Sequence, residues 1–490
     1  MKKYIKINEK DNVIIALEDM SKGETVSSIT LLEDIKRGHK IALTDIRQND
    51  HVIKYGHVIG LATKDIKKGS WVHTHNTKTT LDSEDRKFTY NPKFNEVKME
   101  DDIKVKAYLR ENGLVGIRNE LFIIPTVGCV NGEAKNLEKR FKELHAELTI
   151  DGLHAITHPY GCSQMGDDKE NTKESLVDII LNPNAGGVLV IGLGCEENQI
   201  GELEKALGSY NPKRIKFMEV QKVEDDETLG LKLLEEIYNE MKNDKRELVS
   251  LSKIRVGLEC GGSDGLSGIT ANPLIGLFSD FLIKHGGTTV LTEVPEMFGA
   301  EDVLLNRCIN KDVYDKLLYI IDDFKDYYRR NNQVIFENPS PGNKEGGITT
   351  LEDKSCGCVE KGGQSPVVDV LSHTERIKKS GLNVLSGPGN DLVATTALMM
   401  SGCQLVLFST GRGTPLGSFV PVVKISTNTD LYNRKPHWID FDSGLINNEN
   451  KEEVLKDFIK YIIDVIEGKE TKAEINDIRE IAIFKRGVTL

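Results

Sequence analysis

The sequence predicts a multidomain α/β protein, with a small N-terminal β domain followed by two α/β domains whose sheets are mainly parallel. Three observations lead there. At 490 residues the chain is too long for a single core, so roughly two to four domains are expected. Its first part consists of short apolar or alternating runs separated by turn dipeptides, a β pattern. Further on, apolar runs alternate with helically spaced segments, and several of the runs open into glycine-bearing loops, as in parallel sheets with helical crossovers.

In chain order, residues 1–79 form the first unit. Tyr4-Ile5-Lys6-Ile7 and Val13-Ile14-Ile15-Ala16-Leu17 read as strands, and Lys22-Gly23, Arg37-Gly38 and Lys68-Gly69 read as turns. The unit closes on Trp71-Val72-His73-Thr74-His75-Asn76. On a strand His73 and His75 would share one face, a pairing suited to a divalent metal or a proton relay. Residues 80–102 are polar and charged and read as a linker. Residues 103–248 form an α/β domain in which three strands end in loops carrying glycine and cysteine, at Cys129, Cys162 and Cys195. Residues 249–490 form the C-terminal α/β domain. It opens on an apolar strand, the loop Cys260-Gly261-Gly262-Ser263-Asp264-Gly265, and a helix beginning after Thr270. Glycine lets backbone approach a ligand closely, and strand–loop–helix turns hold small anions on free N–H groups.

Composition narrows the function. A net charge of -12 without a basic block argues against nucleic acid as a partner. No signal peptide or membrane-spanning run is read, so a cytoplasmic protein is expected. The eight cysteines are then expected as reduced thiols. Five of them, Cys162, Cys195, Cys260, Cys356 and Cys358, adjoin glycine or lie in glycine-rich stretches, unlike core cysteine.

Two rival chemistries fit poorly. Gly192-Leu193-Gly194 and Gly411-Arg412-Gly413 follow strands but lack the third glycine of a dinucleotide fingerprint, and no GxxxxGK[ST] string occurs. Gly261-Gly262-Ser263-Asp264-Gly265 matches GxSxG, yet the loop runs on past Gly268 instead of turning straight into a helix. Metal chemistry fits better. Cys356-Gly357-Cys358 and His73-Thr74-His75 are compact donor pairs, and carboxylates such as Glu196, Asp264, Glu293 and Glu296 stand in the loops. Thiolate and imidazole favour iron or zinc over magnesium.

The strings YGCSQ, GLGCEENQ, LECGGSDGLSGITANP, EVPEMFGAE, NPSPGNKEGGITTLEDKSCGC and GPGNDLVATTALMMSGCQLVLFSTGRGTP together resemble the altronate/galactarate dehydratase family of sugar-acid hydro-lyases. The likeness covers almost the whole chain, and the turns of the first unit resemble a SAF-type β-clip module. It implies iron dependence, with manganese as a substitute; the cysteine-bearing loops also permit a cysteine-held iron–sulfur cluster as a variant. It also implies conversion of an aldonate or aldarate to a 2-keto-3-deoxy acid and water. Length points to D-altronate, with galactarate or another sugar acid as the alternative, and a non-catalytic carbohydrate sensor as the alternative from another class. The expected catalytic residues are His73, His75, His158, Asp264 and Arg412, the last as a carboxylate clamp. Asn76, Gln164, Gly261, Gly262, Ser263 and Gly265 are expected at the substrate, and Cys162, Cys195, Glu196, Cys260, Cys356 and Cys358 at the metal. The expected partner is a small sugar acid, with self-association into a homo-oligomer and no membrane.

Overall fold

The computed structural model describes residues 3–81, 87–447 and 449–487. The middle of the expected linker, residues 82–86, lies outside them. The first unit is all β, with antiparallel sheets such as Tyr4–Ile5, Val13–Ala16, Lys40–Ala42 and Trp71–Val72 side by side. Its interior is small and aliphatic, built on Val13, Ala42, Val52, Ile59 and Val72.

The strands of the two parallel sheets are numbered here in chain order. In the second unit β1 (Glu120–Pro125) lies between β2 (Gly152–Ala155) and β3 (Ala185–Gly192), and β4 (Ile215–Glu219) follows on the outer side of β3. In the third unit the order is β7 (Val367–Leu371), β8 (Gly381–Leu385), β6 (Thr288–Leu291), β5 (Arg255–Cys260), β9 (Leu405–Thr410), β10 (Val422–Ser426) and β11 (Phe441–Asp442). All pairings in both sheets are parallel. The strands are buried on both faces and therefore read as continuous apolar runs. The chain enters the larger sheet at its middle strand, winds one way to β6, β7 and β8, then returns to β9 on the other side of β5. The strand order reverses between β5 and β9, the place where open parallel sheets hold ligands. One apolar cluster joins the units, running from Phe122, Ile124 and Val188 to Val406, Phe408 and Phe419.

The first unit docks on the third through buried polar contacts. Lys40 Nζ donates to Gly347 O and to Asp353 Oδ2, both at 2.7 Å, and Lys54 Nζ donates to Asp353 Oδ1 at 3.0 Å. Gly38 and Gly265 meet so closely that a Cβ on Gly265 would stand 2.0 Å from Gly38 O. Gly265→Ala is accordingly expected to destabilise the docked arrangement by about 1–3 kcal/mol, the usual cost of overpacking. An unchanged thermal midpoint would show this contact to be slack. Among the described residues no helix is long and apolar enough to cross a membrane.

Two local expectations change. Cys356-Gly357-Cys358 was expected in a loop but closes a helix, Leu351–Cys358. Thr350 caps that helix by accepting from Asp353 N, and Glu352 and Asp353 supply acidic residues to its first turn, which is enough to start a short helix despite Gly357. The strand expected under His73 and His75 ends at Val72. Asn76 Oδ1 accepts from His73 N at 2.9 Å and folds that segment into a turn.

Candidate active site

The site lies at the carboxyl end of β5. Cys260 is the strand's last residue. Glu296 comes from the single-turn helix Val294–Met297 after β6, and Cys358 from the end of helix Leu351–Cys358. Cys260 Sγ lies 3.5 Å from Cys358 Sγ and 3.4 Å from Glu296 Oε2, and Cys358 Sγ lies 3.1 Å from the same carboxylate oxygen. Lys354, one helical turn before Cys358, projects from the same helix face, and its Nζ pairs with Glu296 Oε1 at 2.5 Å. All four residues are buried.

A second carboxylate group adjoins the first. Glu259, Glu293 and Asp391 bring one oxygen each to within 4.8 Å of one another. Glu293 accepts from Cys260 N at 3.1 Å and pairs with Lys361 Nζ at 3.2 Å. It sits in the left-handed region, φ 65, a strained state for a residue with a side chain and one that collects at functional sites. Glu293 Oε1 and Glu259 Oε1 are buried without a hydrogen-bond partner. Asp391 is the only member of this group partly open to solvent.

The electrostatics separate these groups. Burial pushes Glu293 well above the ordinary carboxylate range, and neighbouring Glu296 adds to the shift. Burial and Asp391 do the same to Glu259. Asp391 rises to about 6, chiefly by burial. Glu296 goes the other way: burial opposes its ionisation, but Lys354 and Lys361 outweigh it and hold the carboxyl low. The hydrogen bond with Cys358 brings Cys260 down to about 7 against burial, helped by Lys361. That bond and burial raise Cys358. The pair therefore favours one thiolate, on Cys260, facing an ionised Glu296.

The expected residues fall into separate groups. Cys260, Cys358, Gly261, Gly262 and Ser263 lie at or beside this centre. A Cβ on Gly261 would stand 2.0 Å from Asp391 Oδ2, so only glycine fits there. Ser263 is buried with its Oγ unpartnered. Asp264 is bound by Thr427, Ser267 and Leu266 N, and burial raises its pKa. Arg412 is exposed and pairs with Glu345 at 2.9 Å. Cys356 points away from Cys358, because two residues of helix turn through about 200°. It packs in the main apolar core, where burial raises its thiol pKa.

His73 is buried against Trp71, 5.2 Å between ring centroids, and its Nδ1 meets Thr349 Oγ1 at 3.2 Å. Burial, then Lys40, lowers its pKa to about 3, which leaves the imidazole neutral. His75 is exposed beside the same indole, at 5.0 Å. Asn76 braces the turn between them.

His158, Cys162, Gln164, Cys195 and Glu196 belong to the loops of the second unit. Both ring nitrogens of His158 are engaged by backbone, with Pro125 O at 2.8 Å and Tyr160 N at 3.2 Å. Gln164 ties Gly161 N to Thr172. Glu196 accepts from Thr126 Oγ1, Leu193 N and Gly194 N. These three side chains hold loops in shape. The lysines at the centre, Lys354 and Lys361, were not singled out from sequence. Their only signal is that they flank Cys356-Gly357-Cys358.

Cys260, Cys358 and Glu296 fit a transition metal. Their donor atoms all lie within 4.8 Å of one another, and three protein ligands leave a position open for water or substrate, as catalytic sites require. Lys354 occupies Glu296 Oε1 and leaves Oε2 facing the two sulfurs.

Comparison with known families agrees along the chain. The model described as altronate/galactarate dehydratase SAF domain matches residues 2–80. The D-galactarate dehydratase/altronate hydrolase second domain matches 107–242, and the D-galactarate/altronate dehydratase C-terminal model matches 251–489. The chain is 54% identical to the altronate dehydratase of Bacillus subtilis, with 100% of each chain covered. It is also 54% identical to the altronate dehydratase of Escherichia coli, covering 99% of this chain and 100% of that one. It is 34% identical to the Escherichia coli galactarate dehydratase (L-threo-forming), over 95% and 93% of the two chains.

Proposed function

The chain belongs to the D-galactarate/altronate dehydratase family of hydro-lyases, and on that premise we propose that it converts D-altronate to 2-dehydro-3-deoxy-D-gluconate and water with a ferrous ion at the Cys260–Cys358–Glu296 centre. The observation that carries the reading is the convergence of two buried thiols and an ionised carboxylate at the switch point of a parallel sheet. Identity supports the substrate, being 54% to altronate dehydratases against 34% to galactarate dehydratase. Donor softness supports iron over magnesium.

A metal held there would supply Lewis acidity toward the carboxylate and hydroxyl oxygens of the acid. The chain's own groups handle the protons. Asp391, partly open to solvent, takes the proton from C2. Glu293, kept protonated by burial, returns one to the oxygen leaving C3. Two carboxyls pushed to different pKa values divide base from acid in this way. Arg412, at the exposed rim, is free to exchange Glu345 for the substrate carboxylate. The space beside Cys358, Lys354 and Ser263 amounts to about 10 Å³, room for one water.

Incubation with altronate, galactarate and other sugar acids, scored for 2-keto-3-deoxy acid, tests the reading. Release from altronate is expected, lost on metal removal and restored by ferrous ion. No keto acid from any of them overturns the dehydratase reading, and full turnover without metal overturns the metal. Asp391→Asn is expected to lower kcat by about 100-fold or more, the scale of general-base catalysis. An unchanged kcat would remove Asp391 from the reaction.

A further inference from the structure

The eight cysteines divide by exposure. Cys260, Cys308, Cys356, Cys358 and Cys403 are buried, and Cys129, Cys162 and Cys195 are exposed. Free cysteine is among the most buried residue types, so three exposed thiols call for a reason. They are not scattered. Cys129 follows β1, Cys162 follows β2 and Cys195 follows β3, and these strands are neighbours in one parallel sheet, with β1 in the middle. All three thiols therefore stand on loops at the same carboxyl edge.

Direct contacts knit these loops together. Gly128 N donates to Tyr160 O at 2.9 Å, and Asn131 Nδ2 to His158 O at 2.8 Å, which joins the Cys129 and Cys162 loops. Glu197 N donates to Gly161 O at 3.2 Å, which joins the Cys162 and Cys195 loops. Thr126 Oγ1 donates to Glu196 Oε1 at 2.6 Å and closes the circuit. The backbone beside the thiols is forced: Gly161 has φ 108, Ser163 φ 55 and Gly194 φ 121, and a Cβ on Gly161 would stand 2.2 Å from Thr126 O. Ser163, with a side chain in the left-handed region, carries strain of the kind found at ligand sites. Asn198, in the Cys195 loop, is fully buried with neither amide atom hydrogen-bonded, an expensive state that a bound group would relieve.

We propose that Cys129, Cys162 and Cys195 hold a [4Fe–4S] cluster, at a site separate from the Cys260–Cys358–Glu296 centre. A polynuclear cluster suits the spacing better than a single ion. Neighbouring strands are about 4.8 Å apart, so thiols on loops at adjacent strands stand farther apart than the donors of one ion. Among the described residues, these three sulfurs do not form a group within 4.8 Å of one another, as Cys260, Glu296 and Cys358 do. Cubane clusters are bound by cysteine thiolates, and three thiolates leave one corner open to an oxygen ligand. Assembly takes two ferrous ions, two ferric ions and four sulfides from outside the chain and releases the three thiol protons, which gives the cubane with no net change of oxidation state. Gln221 Nε2, 3.7 Å from Cys195 Sγ, is placed to donate to a bound thiolate, a contact that tunes such clusters.

The experiment is anaerobic reconstitution of the full chain with ferrous and ferric iron in equal amounts and sulfide, followed by assay of iron, acid-labile sulfide and visible absorption. The wild type is expected to hold about four labile sulfides per chain, as a cubane requires. The triple variant Cys129→Ser, Cys162→Ser, Cys195→Ser is expected to hold none, and Cys260→Ser, Cys358→Ser is expected to keep them. Should the triple variant misfold, each single serine variant, changed at an exposed position, is expected to lose at least half the sulfide while keeping its circular dichroism. Iron without labile sulfide in the wild type overturns the proposal, and so does sulfide retained in a folded triple variant. Keto-acid release is scored in parallel. Turnover without labile sulfide removes the cluster and leaves the dehydratase reading standing; a loaded cluster without turnover on any sugar acid does the reverse.

Discussion

Glu296→Gln is expected to abolish turnover and to destabilise the fold in the same step, and a second substitution separates the two effects. Glu296 Oε1 is the carboxylate partner of Lys354, with both side chains nearly inaccessible. Neutralising it leaves the buried ammonium without its carboxylate, with Asn338 Oδ1 at 3.2 Å still accepting from it, which costs about 3–5 kcal/mol. Its other oxygen faces Cys260 and Cys358, so the amide also deprives a metal of its only carboxylate ligand there. Turnover should fall by more than about 100-fold, the upper range for losing even an outer-sphere partner. In Glu296→Gln with Lys354→Met the unpaired charge is gone. Stability in urea should recover most of the loss while turnover stays down. Activity returning with stability in the double variant would show that Glu296 matters only as a partner for Lys354.

The features legible in sequence were those with a period or a punctuation mark. The alternation of buried runs and helical spacing gives β1, β3, β5, β6 and β9, because strands buried on both faces are written as unbroken Val, Ile and Leu. The helical spacing of Ala134, Leu137 and Phe141 likewise gives helix Asn131–Leu144, whose buried face they form. Glycine-rich loops after strands marked the carboxyl edges of both sheets, and Cys260 with them, whereas Cys358 stands at the end of a helix. What periodicity does not carry is the direction of a side chain in a short element. Two cysteines one residue apart look like a chelating pair, yet the helical turn sends Cys356 into the core and only Cys358 to the centre. His73 and His75 look like neighbours on a strand, yet a turn held by Asn76 buries one and exposes the other. Buried lysines are the hardest to foresee. Lys40, Lys54, Lys354 and Lys361 look like solvated surface in sequence, and their burial depends on carboxylates that folding brings from far along the chain.

Asp353→Asn is the second change with a large expected effect. Asp353 is completely buried, and it binds two lysines of the first unit that are themselves 0% and 2% exposed. Its loss strands two ammonium groups at the seam between units, so the cost should reach or exceed the usual 3–5 kcal/mol for breaking a buried pair, about half of a typical domain's stability. The pH dependence identifies the cause. Burial alone would raise the Asp353 carboxyl, but Lys40 and Lys54 hold it far below its ordinary value of 3.8. A depressed acid contributes its full stability above the unfolded pKa and loses it as pH falls toward the folded one. The gap between wild type and Asp353→Asn should therefore be constant above about pH 5 and close progressively below about pH 4. Lys40 gives the opposite signature at the alkaline end. One carboxylate cannot fully compensate two ammonium ions, and burial brings Lys40 down to about 8 from 10.5. Between those values the unfolded chain binds more protons than the folded one, so stability rises with pH. That rise should be present in wild type and missing from Lys40→Met, measured as a difference between urea midpoints at pH 7.5 and pH 9.5. Parallel curves for the two proteins across that window would mean that Lys40 keeps its proton at the seam, and that Asp353 serves both lysines equally.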